Sequence, residues 1–335
     1  MPVEGTAGTL VLTRRDVQAL LGLGDCIAAV ESAFRLHAEG RSLAPGVLGI
    51  RAAAGGFHIK AAGLELGGRR YFAAKTNANF SDNPGRHGLP AIQGVIVLCD
   101  ADDGRPLAVM DSIEVTIRRT AAATAVAAKW LARPESATAT VCGCGSQGRE
   151  QLRALARVLP LARAHAYDAD EAAARACARE LQDELGIEVA ATRDLASAVR
   201  ASDVCVTCTP ARGAFLMREH VRPGTFVAAV GADAPDKQEL EPGLLSEAVV
   251  VVDLLEQCAA IGELHHALEA GAMTREAVHA EVADVVTGRR PGRRSPEEIT
   301  VFDSTGTALQ DVAAAAIVFE RAAAAGAGLR LSLGD

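Results

Sequence analysis

Residues 137–148 read Ala-Thr-Ala-Thr-Val-Cys-Gly-Cys-Gly-Ser-Gln-Gly. The run through Cys142 reads as a strand and the segment opening at Ser146 as a helix, so Gly143, Gly145 and Gly148 make a GxGxxG turn between them. That context gives the motif its weight. Glycines here permit a tight turn and let the backbone of Gly143, Gly145, Ser146, Gln147 and Gly148 approach a pyrophosphate at the positive end of a helix dipole. Twenty positions beyond Gly148, Asp168 closes the next strand-like run, AHAYD. A carboxylate there accepts hydrogen bonds from the adenosine ribose hydroxyls and repels a 2′-phosphate. Ala169 and Asp170 follow it with no arginine, so the expected cofactor is NAD rather than NADP.

Downstream the rhythm continues with a helix through Leu159, AHAYD, a helix through Leu185, and the runs IEVAAT, SDVCVTCTP, TFVAAVG and AVVVVDL. Such alternation predicts an α/β, Rossmann-type, doubly wound parallel sheet. Upstream the texture differs. A strand over Thr9–Leu12 precedes a helix capped by Thr13, with Asp16 placed as in a capping box. A second helix covers Asp25 to Glu39 and stops at Gly40. Between Val47 and Leu107, GVLGI, GFHIKAA, YFAAKTN and GVIVLCD are short β-like runs broken by Gly, Asn and Pro, which predicts an antiparallel or mixed sheet. Alanine-rich helices are expected over Arg119–Leu131 and over Thr307–Ala325, the latter stopping at Gly326. The expected domains are a smaller α+β domain of residues 1–118 with 308–335 and a dinucleotide-binding domain of residues 119–307.

The 335 residues, 49% hydrophobic, suffice for two cores. Net charge is −8, and the one dense basic cluster, Arg289, Arg290, Arg293 and Arg294, is broken by Pro291 and Gly292. It reads as a solvated loop, and no nucleic-acid partner is expected. No uninterrupted apolar run reaches about 18 residues, and the opening MPVEGTAGTLVLTRRD has no leader pattern, so a cytoplasmic protein without a membrane partner is expected. The eight cysteines are dispersed and read as reduced thiols. Cys205 and Cys208 have CxxC spacing, but a strand sends them to opposite faces. His265 and His266, in IGELHHALEAG, read as surface or packing residues, and no cluster has metal-site spacing, so no metal is expected.

Four more segments stand in a telling order: Lys75-Thr76-Asn77, Arg119-Thr120-Ala121-Ala122, Gly231-Ala232-Asp233-Ala234-Pro235-Asp236-Lys237 and Phe302-Asp303-Ser304-Thr305-Gly306. With the glycine motif they make the chain resemble the ornithine cyclodeaminase/mu-crystallin family over nearly its whole length. The resemblance implies a homodimer built through the first domain, a Rossmann domain in the second half, and a substrate pocket between the two. It implies that Lys75 and Arg119 bind a substrate carboxylate, with Arg51 as a third cationic contact. Asp233 matches the acid/base residue, and Lys75 is grouped with it as catalytic. Lys237 and Ser304 match positions near the nicotinamide, while Thr120, Thr207 and Thr209 are expected to line the cofactor.

The residue types suit these roles. Arginine offers a planar fork to a carboxylate. Lysine is scarce, occurring only at Lys60, Lys75, Lys129 and Lys237, and two of these fall in the motifs. Asp233 follows the apolar run TFVAAVG at a strand's carboxyl end, where open α/β sheets bind ligands. The implied chemistry moves a hydride from an amine-bearing carbon to NAD and leaves an iminium. Water then releases ammonia, or an internal amine closes a ring with the hydride returned, or the reaction runs backwards as imine reduction. Asp233 moves the proton in each. Cyclodeaminases carry a glutamate in a Glu-Leu-Met-Pro-like strand where this chain has Phe57-His58-Ile59-Lys60, and Asn77-Ala78-Asn79-Phe80 also departs from them. These departures favour an amino-acid dehydrogenase or imine reductase over ring closure. His58 and Lys60, on one strand face, are candidates for the missing polar function and for substrate contact. A cofactor-dependent binding protein without turnover is the alternative; Asp233, Lys75 and Arg119 argue against it.

Overall fold

The computed structural model describes residues 8–333, so the first seven residues of the opening segment lie outside the described residues. The chain begins with β1 (Thr9–Leu12), α1 (Arg14–Leu20), α2 (Leu23–Ala38), β2 (Ser42–Ala52), β3 (Gly55–Leu66), β4 (Arg69–Asn79), α3 (Asn83–His87), β5 (Ile92–Asp100), β6 (Pro106–Asp111) and α4 (Ser112–Leu131). There follow β7 (Thr138–Cys142), α5 (Ser146–Ala156), β8 (Arg163–Tyr167), α6 (Glu171–Leu185), β9 (Glu188–Thr192), α7 (Leu195–Arg200), β10 (Val204–Thr207), β11 (Arg212–Leu216) and β12 (Phe226–Ala229). Next come β13 (Gln238–Leu240), α8 (Pro242–Ser246), β14 (Val249–Val252), α9 (Leu255–Ile261), α10 (Glu263–Glu269), β15 (Ala280–Glu281), α11 (Val282–Val286) and β16 (Thr300–Asp303). The chain closes with α12 (Ala308–Ala325) and β17 (Leu329–Leu331). Two compact units result: residues up to Arg119 together with those from Thr307 on, and Thr120–Gly306.

The first unit holds a seven-stranded mixed sheet in the order β17-β1-β6-β5-β4-β3-β2, in which β1 and β6 are the parallel pair. Register decides which residues meet: Lys60 lies opposite Lys75, and Lys75 opposite Ile96. Alternation puts Lys60, Ala62 and Leu64 of β3 on one face with Tyr71, Ala73 and Lys75 of β4, all buried. α12 packs against these two strands. Its alanines, Ala313 to Ala316, keep the helix thin enough for close approach and are buried. The capping box of Thr13 and Asp16 is present. α4, however, starts already at Ser112 rather than at Arg119, because the Asp111 carboxylate accepts the N–H groups of Ile113 and Glu114 and caps the helix there. The strand β17, paired with β1, was not anticipated.

The second unit is an eight-stranded sheet in the order β15-β14-β16-β12-β10-β7-β8-β9, parallel throughout. Winding reverses between β7 and β10, which makes the carboxyl ends of these strands the switch point of the sheet. Strands such as Val249–Val252 and Phe226–Ala229 are continuously apolar because helices cover both faces. The eight cysteines are free. Arg293 corrects the reading of its cluster as merely solvated. It is partly buried and donates to the Leu131 carbonyl at 2.7 Å and to Thr300 Oγ1 at 2.9 Å.

The glycine turn makes a testable contrast. Gly143 has φ +99°, and a Cβ on Gly148 would lie 1.8 Å from the Gly143 carbonyl oxygen. A Cβ on Gly145, whose φ is −74°, would meet nothing within 4 Å. Gly148→Ala is therefore expected to lower the free energy of urea unfolding by about 1–3 kcal/mol or more, and Gly145→Ala by less than about 0.5 kcal/mol. Equal losses would contradict the close helix–strand contact.

Candidate functional site

A buried cationic cluster forms within the first unit. β4 supplies Lys75, 3% exposed, and α12 supplies Asp311, 1% exposed. Lys75 Nζ lies 2.8 Å from each Asp311 carboxylate oxygen and 3.3 Å from Thr116 Oγ1. One turn further along α4, Arg119 Nε donates to Asp311 Oδ1 at 3.1 Å and its Nη1 to Gln310 Oε1 at 2.9 Å. Lys60, also buried, lies directly across the ladder from Lys75. Burial, helped by Arg119 and Lys60 and opposed by Asp311, brings the Lys75 ammonium down to a pKa of about 7. Burial works to raise Asp311, yet Lys75 and Arg119 outweigh it and hold this carboxyl below its usual range.

Sequence reasoning placed Arg51 as the third cation. The structure instead brings Lys60 beside Lys75. Arg51 is exposed near the end of β2, opposite Gly56, four positions along the ladder from Lys60. His58 is half-buried, opposite Asn77, and shares its strand face with Lys60. Ser112 Oγ donates to Asn77 Oδ1 at 2.6 Å.

In the second unit the glycine turn joins β7 to α5. Asp168 does more than was expected of it: its Oδ2 accepts the Cys144 N–H at 2.7 Å and its Oδ1 that of Asp170 at 2.9 Å, so it braces the turn itself. Gly143 abuts the loop after β10, since a Cβ there would lie 2.8 Å from the Cys208 carbonyl oxygen. Gly145 and Ser146 are exposed, Gln147 half-buried, and nothing crowds Gly145, so the backbone at the start of α5 is open to an anion. These residues fit a dinucleotide pyrophosphate.

Four buried acids fix the loops at the carboxyl ends of the neighbouring strands. Glu239 Oε1 accepts from Thr209 N–H at 2.6 Å and Oγ at 2.7 Å, while its Oε2 accepts the Gly231 N–H at 3.0 Å. Glu263 in turn accepts the N–H groups of Glu239 and Leu240 at 2.7 and 3.0 Å. Asp303 Oδ2 accepts the Leu264 N–H at 2.9 Å. Asp253 holds Ser304 Oγ and Thr305 Oγ1 at 3.1 Å each and the Gly306 N–H at 2.6 Å. Burial raises Glu239 and Glu263, and it raises Asp303 to a pKa of about 7 with Asp253 adding to it.

Thr207 ends β10, buried, and Thr120 is buried in α4. Asp233 is half-exposed and paired with Lys237 Nζ at 2.5 Å, four residues on in the same loop. His266 Nε2 donates to the Lys237 carbonyl at 2.7 Å, tying α10 to this loop. His265, His266 and Glu269 each bring one ligand-type atom within 4.8 Å of the others, a grouping that their spacing had not suggested. Asp311, Gln310, Glu239 and Asp253 were also missed. For Asp311 a signal existed: an acid inside the apolar run ALQDVAAAA must find a buried partner.

Residues 7–326 match the family model of the ornithine cyclodeaminase/mu-crystallin family. Alanine dehydrogenase of Archaeoglobus fulgidus is 39% identical over 323 residues, 96% of this chain and 98% of that protein. Among solved structures, an archaeal alanine dehydrogenase dimer with bound NAD superposes with a TM-score of 0.93 at 39% identity, covering 97% of this chain and 99% of that one. The Δ1-pyrroline-2-carboxylate reductase of Thermococcus litoralis, in complex with NADH and L-proline, gives a TM-score of 0.92 at 31% identity, with 96% of this chain and 100% of that one covered. The chain belongs to the ornithine cyclodeaminase/mu-crystallin family.

Proposed function

We propose that this protein is an NAD-dependent oxidoreductase acting on the C–N bond of a small amino or imino acid, as an amino-acid dehydrogenase or imine reductase. The observation that carries this reading is the buried cluster of Lys60, Lys75 and Arg119 around Asp311. Buried cations of this kind suit a ligand carboxylate. The second unit supplies the matching half of the argument through its open glycine turn, and related alanine dehydrogenase and pyrroline-carboxylate reductase structures contain NAD or NADH.

In this reading Lys75 and Arg119 hold the substrate carboxylate, and NAD, when bound, takes up or returns the hydride. Asp168 addresses the adenosine ribose, while Ser304, held by Asp253, and Lys237 stand toward the nicotinamide end. Thr120, Thr207 and Thr209 line the cofactor. Asp233 moves the proton at the amino nitrogen or at an attacking water, with Lys237 holding its carboxylate in place. Between the domains read from the sequence, the first is assigned the substrate and dimerisation roles and the second the cofactor. The sheet of the first unit turns Leu48, Ile50, Phe57 and Val95 outward on the face opposite Lys75, all exposed. An apolar face of this kind suits a second copy of the chain in a twofold dimer. No single helix among the described residues is long and apolar enough to cross a membrane.

A screen of NADH oxidation with pyruvate plus ammonia, other keto acids and cyclic imino acids tests the reading. Turnover is expected, with NADH favoured over NADPH by roughly tenfold or more. No turnover with any of them, or better use of NADPH, would sink it. Sedimentation at micromolar concentration should give a dimer, and a monomer would contradict the docking face.

Asp233→Asn should cut turnover by about 10² or more, while NADH binding followed by fluorescence stays near wild type. Retention of more than about a third of the activity would remove Asp233 from the acid/base role. Lys75 behaves differently. It binds a carboxylate only when protonated, and the neighbours facing it are Asp311 from α12, Arg119 from α4 and Lys60 from β3. Its ammonium loses its proton as pH rises through about 7, so KM for the carboxylate substrate should climb above that pH. In Lys75→Met that limb should be gone and KM high throughout; an unchanged limb would assign it to another group.

A further inference from the structure

We propose that Gln310 is a further recognition residue, donating through Nε2 to an oxygen of the ligand carboxylate held by Lys75 and Arg119. The inference rests on the function proposed above and adds a residue to its substrate site. Gln310 is fully buried in the first turn of α12, next to Asp311. Arg119 Nη1 donates to its Oε1 at 2.9 Å. A guanidinium has donors only, so this contact settles which arm of the amide faces Arg119: the oxygen. The NH2 arm is thereby turned the other way, and among the described residues Nε2 has no hydrogen-bond partner. An unpaired buried amide donor is costly, and native structures keep few of them.

The surroundings define what would satisfy it. Lys60, Lys75 and Arg119 are buried cations, and the amino end of the 18-residue α12 adds a positive potential at Gln310. The partner must therefore be an acceptor and an anion. A carboxylate has two oxygens with about four lone-pair sites, enough to meet an ammonium, a guanidinium and an amide donor together. A carboxamide would turn its own NH2 on one of these donors. The site thus selects acids against their amides through Gln310 as well as through charge.

Gln310→Glu and Gln310→Met together separate recognition from support. The first keeps an oxygen for Arg119 and puts a second oxygen where the donor stood. Steady-state kinetics with pyruvate and ammonia, or with the best acid from the screen, should show KM raised about tenfold or more and kcat within about threefold of wild type. NADH affinity should not change. Gln310→Glu also adds a charge that repels a carboxylate, so the neutral Gln310→Met, which removes both donor and acceptor at similar volume, decides. The same rise in KM is expected, and KM within about twofold of wild type in that variant overturns the proposal. If Gln310→Met does not fold, an unchanged KM in Gln310→Glu overturns it. If wild type turns over no substrate, the functional reading fails by itself, and thermal unfolding with NADH present tests Gln310 separately. L-alanine should then stabilise wild type more than L-alaninamide does, and Gln310→Met should shrink the difference; a difference as large as in wild type would overturn the proposal. Equal effects of acid and amide on wild type would overturn it.

Discussion

Two cations can share a dry interior only with an anion between them, and in this protein Asp311 is that anion. Lys75 and Arg119 both reach its carboxylate, at 2.8 and 3.1 Å. Removing a charge from water costs several kcal/mol, and only close, well-aligned partners offset this. The three residues come from β4, the first two turns of α4 and α12, so the ion cluster fixes how these parts of the first unit meet. A surface pair such as Arg14 with Asp111, 3.1 Å apart but with its arginine half-exposed, carries far less. Because burial disfavours its charge and Asp311 answers two cations with one, the Lys75 proton is only loosely held. In the proposed reading a ligand carboxylate supplies the second negative charge, which links ligand binding to the charge state of the cluster.

The second unit solves an opposite problem with the same chemistry. Its switch point must stay open for a ligand, so the loops around it cannot be packed with bulky side chains. Glu239, Glu263, Asp253 and Asp303 fix those loops from behind by accepting backbone N–H groups. Gly231 is part of the arrangement: a Cβ there would lie 2.5 Å from the Glu239 carboxylate. The loop carrying Asp233 is thus tied at Gly231 to Glu239 and at Lys237 to His266, leaving the half-exposed Asp233 between two anchors. Such bracing restricts where the Asp233 carboxylate can lie.

The sequence and the structure agree where the signal is local. A glycine turn between strand and helix, alternating strands and helices, and the box at Thr13 are set by neighbours in the chain, and each is found as read. What stayed hidden depends on partners distant in sequence. The resemblance gave Arg51 as the third cation and Lys60 as a candidate for the missing polar function; the β3–β4 ladder puts Lys60 against Lys75, and Arg51 is exposed. The start of α4 is an exception: the Asp111 cap is local, to Ile113 and Glu114, yet the helix was expected only from Arg119. Arg293 looked like one of four arginines in a polar loop, and only the tertiary fold shows it reaching the Leu131 carbonyl. Asp311 could be suspected from its apolar setting, yet not assigned to Lys75 and Arg119 without the helix in place.

The register of that ladder also bears on the kind of substrate the site accepts. Ring closure from a diamino acid needs a pocket that tolerates a second ammonium on the substrate. Here the strand position where cyclodeaminases carry an acidic residue lies in the segment Phe57-His58-Ile59-Lys60, and Lys60 is buried directly across from Lys75. Like charges facing each other across a ladder already oppose one another. A further cation beside them would meet Lys60, Lys75 and Arg119 with Asp311 engaged by two of these. In the proposed reading, a substrate that brings a carboxylate and no second ammonium to the cluster relieves that repulsion, so the charge pattern weighs against diamino acids.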